Sequence, residues 1–293
     1  MVTQPTNPEP TWLTIIRLLR WHKPAGRLIL MLPALWAVFL ASHGTPQGPL
    51  VGVIVLGSIV TSAAGCVIND LWDRDIDPRV ERTRDRPFAA RALTVKTGIV
   101  IAIFAFICAG ILALYLNSLS FWLSVAAIPV IIGYPLAKRV FPIPQLVLSI
   151  AWGFAVLISW SAAVAHLDIN SGILWGAVVL WTLGFDTVYA MSDREDDLQV
   201  GINSSAIFFG KYAAEAVGIF FLGTTGLLAY LGYYMQLHLG FWSALSVASI
   251  FWVWQYLQLR NPQLPRPVYG QIFSQNVGIG FIILAGIISG CLW

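Results

Sequence analysis

Nine stretches of this chain are apolar enough and close enough to bilayer length to cross a membrane: residues 27–43, 50–70, 97–117, 121–138, 145–164, 172–190, 213–235, 239–257 and 273–292. A helix spanning the hydrocarbon core takes about 20 apolar residues. Inside lipid the backbone has no water to bond, so each such segment has to satisfy its own amides as a helix. Charged residues make up only 11% of the sequence and hydrophobic ones 58%, where soluble domains run at roughly 25% and 45–50%. The expectation is an all-helical integral membrane protein with nine transmembrane helices. The first stretch reads as a span and not as a cleaved leader, since eight more follow and no convincing cleavage site does.

Nine spans place alternate connections on opposite sides. All seventeen Lys and Arg then fall on the side of the N-terminal segment and of the connections 71–96, 138–144, 191–212 and 258–272, or at span ends bordering it. Lys and Arg collect in cytoplasmic loops, so this side, with the N-terminus, is expected to be cytoplasmic. The net charge of +3 reflects that topology and does not argue for nucleic acid. Residues 1–10, polar and proline-rich, are expected to be a disordered tail. Residues 11–26 read as an amphipathic helix on the membrane surface, with Trp12, Ile15, Ile16, Leu18 and Leu19 as its apolar face. The remainder, 27–293, reads as one membrane domain with two long charged cytoplasmic connections, 71–96 and 191–212. Cys66, Cys108 and Cys291 all lie in apolar spans and are expected to be small packed residues. The four histidines show no metal-ligand spacing.

The acids also gather on the cytoplasmic side, which insertion alone does not require, because Asp and Glu contribute little to orientation. Asn69-x3-Asp73-x3-Asp77 ends span 2, and Tyr189-x3-Asp193-x3-Asp197 ends span 6. The i, i+4, i+8 spacing puts three side chains on one helical face. Four spans separate the two sets, so their helices run parallel, as in a repeat of spans 1–4 and 5–8 with span 9 added. Clustered carboxylates repel one another unless a cation joins them. Hard oxygen ligands of this kind suit Mg²⁺ or Ca²⁺, and Mg²⁺ takes one or two carboxylates and shares the rest with water and substrate phosphates. The competing reading is a solvated loop balanced by its own arginines. Arg82, Arg84 and Arg86 at alternate positions suit phosphate oxygens or anionic lipid. Tyr134 and Lys138 stand four apart at the end of span 4. These parts permit loss of diphosphate from an allylic substrate, with the resulting cation shielded from water in a membrane cavity. No Ser-His-Asp set, Cys nucleophile, P-loop or GxGxxG turn is present.

These motifs resemble those of the UbiA family of membrane prenyltransferases. NDLWDRDID with PRVERTRDRPFAARALT is similar to the family's first motif and lid loop, and DTVYAMSDREDDLQVGINSSAIFFGKY to its second. RWHKPAGRLILMLPALWA and GYPLAKR also match, so the resemblance covers the chain from about residue 12. It is closest in form to the 4-hydroxybenzoate polyprenyltransferase branch. One departure is His22-Lys23-Pro24, where many relatives have DKP.

The resemblance implies a ring of nine spans around a central cavity open to the cytoplasm and to lipid. It implies transfer of a polyprenyl group from polyprenyl diphosphate to the position ortho to the hydroxyl of 4-hydroxybenzoate, a quinone precursor step on the way to ubiquinone or plastoquinone. Two Mg²⁺ ions would bridge the diphosphate, one on Asn69 and Asp73, the other on Asp193 and Asp197. Lys138, Tyr189 and Tyr134 would support the diphosphate, with Arg82 and Arg84 closing from the lid. Asp70, Asp77 and Asp186 occupy further motif positions expected to be catalytic. Arg27 or Arg139 is expected to pair with the acceptor carboxylate. The expected partners are the two substrates and membrane lipid, in a cell (inner) membrane or an equivalent energy-transducing one. The alternatives are another aromatic acceptor such as homogentisate and, more distantly, a transporter. A transporter would carry charges or broken helices deep in its spans, whereas these charges sit at the cytoplasmic ends.

Overall fold

In the computed structural model, which describes residues 10–261 and 263–292, helices stand at every expected span. They are α1 (Thr11–Leu18), α2 (Ala25–Ala41), α3 (Gly48–Trp72), α4 (Val95–Ala113), α5 (Ser118–Gly133), α6 (Pro144–Val164), α7 (Ile169–Val200), α8 (Ala213–Tyr234), α9 (Leu239–Leu259) and α10 (Arg266–Leu292). Short helical turns join α5 to α6 at 134–140 and precede α8 at 205–212. Seven of the helical stretches are long and apolar enough to cross a membrane. The other two are α2, 17 residues long, and α9, 21 residues long, which carries three tryptophans, a tyrosine and two glutamines. The tail expected over 1–10 lies outside the described residues except for Pro10, which is exposed.

Two differences from the sequence expectation concern the side that carries the Lys and Arg. The amphipathic helix is shorter than 11–26. It stops at Leu18, and the chain turns through Arg20, whose φ is 55°. The connection expected over 191–212 is instead largely helix, because α7 runs on to Val200 and stops where Gly201 takes a left-handed φ of 79°. At 1.5 Å per residue its 32 residues reach about 48 Å, well beyond the hydrocarbon core. The acidic SDREDD segment therefore stands on a rigid extension of a span. At the far end Asp168 caps the helix, accepting from the Ser171 amide at 2.9 Å.

The helices pack in a ring in chain order, with α10 returning to α2. The ring is lopsided. α2, α6, α7, α8, α9 and α10 share one dense core in which Trp36 and Trp181 stack at 4.8 Å. The backbones approach closely there: a Cβ on Gly280 would strike Leu32 and Trp181. The indoles of Trp181 and Trp252 both donate to Asn276 Oδ1, at 3.0 and 3.1 Å, so the buried amide is satisfied. α4 and α5 touch each other little and are the least buried of the spans. The hollow of the ring lies on their side.

Candidate active site

Asn69 and Asp73 lie at the last turn of α3, and Asp73 caps it. The helical spacing does not continue to Asp77, because the chain leaves the helix at Trp72. The Asp77 amide still donates to the Asp73 carbonyl at 2.8 Å, and a short 3-10 turn over Asp77–Arg79 brings the side chain back. Asp70, Asp73 and Asp77 are all buried, at 1%, 0% and 4% exposure, which demands a cation for each. Arg20 Nη2 donates to Asp70 Oδ1 at 2.6 Å. Arg86 Nη1 bridges Asp70 at 3.2 Å and Asp77 at 3.0 Å. Lys138 Nζ donates to Asp73 Oδ2. Burial pushes the Asp77 carboxyl above its ordinary value, while Arg86 pulls the other way.

The second set keeps its spacing because α7 stays helical. Asp186, Tyr189, Asp193 and Asp197 share one face of that helix and line the same cavity. Arg82, from the connection after α3, grips Asp193 with the Nε–Nη2 edge of its guanidinium, Nε at 2.9 Å and Nη2 at 2.5 Å. Its Nη1 donates to the Tyr189 hydroxyl at 3.0 Å, and its guanidinium carbon lies 4.4 Å from that ring's centroid. Burial works against the Arg82 charge, but Tyr189 and Asp193 outweigh it and hold the group above its ordinary pKa. A second clasp lies beside this one. Arg266, at the start of α10, donates at 2.5 Å each to the Ser192 carbonyl, Glu81 and Asp196. The connection over 73–94 is thereby pinned across the C-terminal end of α7.

Beneath this connection lies a cavity of about 850 Å³. Its mouth carries Arg20, Lys23, Arg27, Arg82, Arg86 and Lys138. Its depth is apolar, with Phe106, Leu116, Phe121 and Ile128 from α4, α5 and the turn between them. Such a space fits an amphiphile with an anionic head and a long hydrocarbon tail.

The structure brings most of the expected residues together. Asn69, Asp77, Asp186, Asp193, Asp197, Lys138, Arg82, Tyr189, Tyr134 and Arg27 line the cavity, and Asp70 and Asp73 lie just behind its wall. Tyr134 reaches Asn69 Oδ1 at 3.5 Å. Two residues are placed elsewhere. Arg84 is exposed on the outer side of the connection and does not line the cavity. Arg139 is also exposed, and its Nη2 donates at 2.5 Å to the Trp72 carbonyl, an end group of α3. Arg27 faces the cavity, and its buried Nε has no partner. Arg20 and Arg266 were legible only as positive-inside charges, and Arg86 was read for phosphate or lipid and not as the partner of Asp70 and Asp77. For Arg266 a signal existed: a cation at a helix N-terminus opposes the dipole and calls for carboxylate partners.

Among the described residues no three His, Cys, Asp or Glu stand close enough to hold a metal by themselves. The donor set nevertheless fits Mg²⁺ of the diphosphate-sharing kind, which needs only one or two carboxylates. Asp73 Oδ1 is buried with no hydrogen-bond partner, an open ligand position. Asp193 and Asp197 supply oxygens one turn apart on α7.

The fold and the site thus define an integral, multi-pass helical membrane protein whose polar-mouthed, apolar cavity suits a lipid-like anion. The UbiA prenyltransferase family model matches residues 30–277, and the chain belongs to that family. It is 63% identical over the whole of both chains to 4-hydroxybenzoate solanesyltransferase of Synechocystis sp.. It is 38% identical to 4-hydroxybenzoate octaprenyltransferase of Neisseria gonorrhoeae, over 93% of this chain and 91% of that one. The fold is similar to that of a UbiA homolog from Aeropyrum pernix, with a TM-score of 0.78 and 23% identity over 89% and 96% of the two chains. It is also similar to that of a homolog from Archaeoglobus fulgidus bound to GPP and Mg²⁺, with a TM-score of 0.66 and 21% identity over 92% and 99%.

Proposed function

We propose that this protein transfers a polyprenyl group from polyprenyl diphosphate to C3 of 4-hydroxybenzoate, releasing diphosphate, in ubiquinone or plastoquinone biosynthesis. The observation that carries the reading is full-length similarity to a 4-hydroxybenzoate solanesyltransferase, joined to a cavity with cations at its mouth and an apolar depth. All nine expected spans cross the membrane in this reading, α2 and α9 included, with α1 on the surface. The charge partition supports a cytoplasmic N-terminus and a site facing the cytoplasm. The membrane is the cell (inner) membrane or an equivalent energy-transducing one.

The tail lies in the apolar depth between α3, α4, α5 and α6, and the diphosphate lies at the mouth. Arg82 and Lys138 turn part of their hydrogen bonding from Asp193 and Asp73 to the diphosphate oxygens, with Tyr189 and Tyr134 beside them. Asn69 with Asp73, and Asp193 with Asp197, would hold two Mg²⁺ ions. When bound, Mg²⁺ neutralises charge on the leaving diphosphate. Asp70 and Asp77, fixed by Arg20 and Arg86, keep the α3 end and the connection in register around these groups. The pinned connection over 73–94 excludes water from the allylic cation. Arg27 takes the acceptor carboxylate. Its unpartnered Nε supports that role, and the outward turn of Arg139 leaves Arg27 the better placed of the two.

The test is prenylation of radiolabelled 4-hydroxybenzoate in membranes carrying the protein, with geranyl diphosphate and either Mg²⁺ or EDTA. Lipid-soluble label that needs Mg²⁺, Asp73 and Asp193 is the expected result. Label appearing only with homogentisate would move the protein to another acceptor.

A further inference from the structure

We propose that Asp186 is the base that removes the ring proton from the acceptor, an inference that rests on the aromatic prenylation read above. Four carboxylates line the cavity: Asp77, Asp186, Asp193 and Asp197. Asp77 is held by Arg86 and Asp193 by Arg82. Asp197 faces the Ser204 hydroxyl, which favours its charged form. Asp186 alone among them has no hydrogen bond or ion pair among the described residues. Arg82 and Lys138 reach it only through space. A carboxylate already clamped by a guanidinium has its lone pairs engaged and is a poor proton acceptor. Asp186 has them free.

Its position suits the second half of the reaction and not the first. Asp186 lies two turns of α7 deeper than Asp193, on the same face, away from the cations at the mouth. An ionisable side chain at such depth is rarely kept without a use. Aromatic rings surround that level of the cavity. Tyr189 and Phe273 lie 4.7 Å apart and Phe185 and Phe273 5.5 Å, and Trp152, Tyr189 and Phe273 line the cavity wall. Faces and edges of this kind receive a flat aromatic ring.

Once the C1–O bond of the donor has broken, its electron pair departs with the diphosphate. The ring carbon ortho to the hydroxyl bonds to C1 and becomes tetrahedral, carrying both its hydrogen and the prenyl group on a cationic ring. Asp186 accepts that hydrogen as a proton on a carboxylate oxygen. The C–H electron pair restores the aromatic ring, and Asp186 then passes the proton to water at the mouth.

The experiment compares 4-hydroxybenzoate with its form deuterated at both ring positions ortho to the hydroxyl, in the wild-type protein and in Asp186→Asn. With donor ionisation as the expected slow step, deuteration should leave the wild-type rate unchanged. In Asp186→Asn we expect kcat to fall on the order of 10²-fold, a primary isotope effect to emerge, and the KM for geranyl diphosphate and the Mg²⁺ requirement to hold. Should Asp186→Asn turn over too slowly to measure, Asp186→Glu, which keeps a displaced base, has to show the isotope effect. Near-normal turnover in Asp186→Asn overturns the proposal. So does a loss of rate without an isotope effect, or one accompanied by a raised donor KM. If the wild-type protein prenylates no hydroxybenzoate at all, it is the underlying functional reading that fails.

Discussion

Replacing Lys138 with Met leaves Asp73 fully buried, with neither carboxylate oxygen paired. The backbone at 138 is held independently, since its carbonyl accepts from the Asn203 amide at 2.8 Å, so the damage is confined to the side chain. Stranding one partner of a buried ion pair costs about 3–5 kcal/mol; with the Lys138 side chain 23% exposed, the low end applies. For a chain of this size about 3 kcal/mol lowers Tm by roughly 6–12 °C. Asp73→Asn strands only a half-wet ammonium that can turn to cavity water, and costs about 1 kcal/mol. The double variant has no charge left to strand. It should unfold close to Asp73→Asn alone, a coupling of about 3 kcal/mol in a double-mutant cycle. Thermal unfolding of the four proteins in detergent without Mg²⁺, followed by tryptophan fluorescence, measures this. A double variant that unfolds at the sum of the two single shifts would refute the claim that Lys138 exists to neutralise a buried Asp73.

Arg82→Lys keeps the charge but not the fork that grips Asp193, and should lower kcat/KM for the donor by at least about 10-fold in an initial-rate assay. Arg266→Ala removes three hydrogen bonds between α10, α7 and the connection, so trypsin should cut after the exposed Arg79 and Arg84 several-fold faster. Unchanged cleavage would mean the clasp does not restrain that segment. Gly98→Leu drives a side chain into Phe88, which closes the connection onto α3 and α4, and should cost roughly 2–4 kcal/mol by thermal unfolding. Chelation by EDTA should abolish turnover while leaving the fold intact by circular dichroism, because Asp70, Asp73, Asp77 and Asp193 are already paired with protein cations.

The apolar runs announced the helices because lipid allows them no other structure. The i, i+4 spacing announced α7 correctly even where its residues turn acidic. It misled at Asp77, because spacing says nothing about where a helix stops, and α3 stops at Trp72. Arg84 and Arg139 were indistinguishable in sequence from Arg82 and Lys138, their neighbours by one or two positions. A side chain's direction at a loop or a helix end is decided by what it can bond, here Asp193 for one and the Trp72 carbonyl for another. The Arg266 clasp joins residues far apart in the chain, and no local pattern could have paired Glu81 with it.

The lopsided ring has a mechanical consequence. On its dense side, indole, amide and glycine contacts fix the helices to one another. On its hollow side, α4 and α5 have hydrocarbon outside and an apolar cavity inside. No water is expelled when that wall closes and none is admitted when it parts, so the hydrophobic effect is indifferent to its position. Between α4 and α5 themselves only dispersion and the short turn at 114–117 act among the described residues, while α5 is tied to α6 through Ser120 and Ser161 and to α3 through Trp72. A prenyl tail longer than the cavity need not be bent to fit. It can part the wall and continue into the bilayer, at the cost of exchanging one oily neighbour for another.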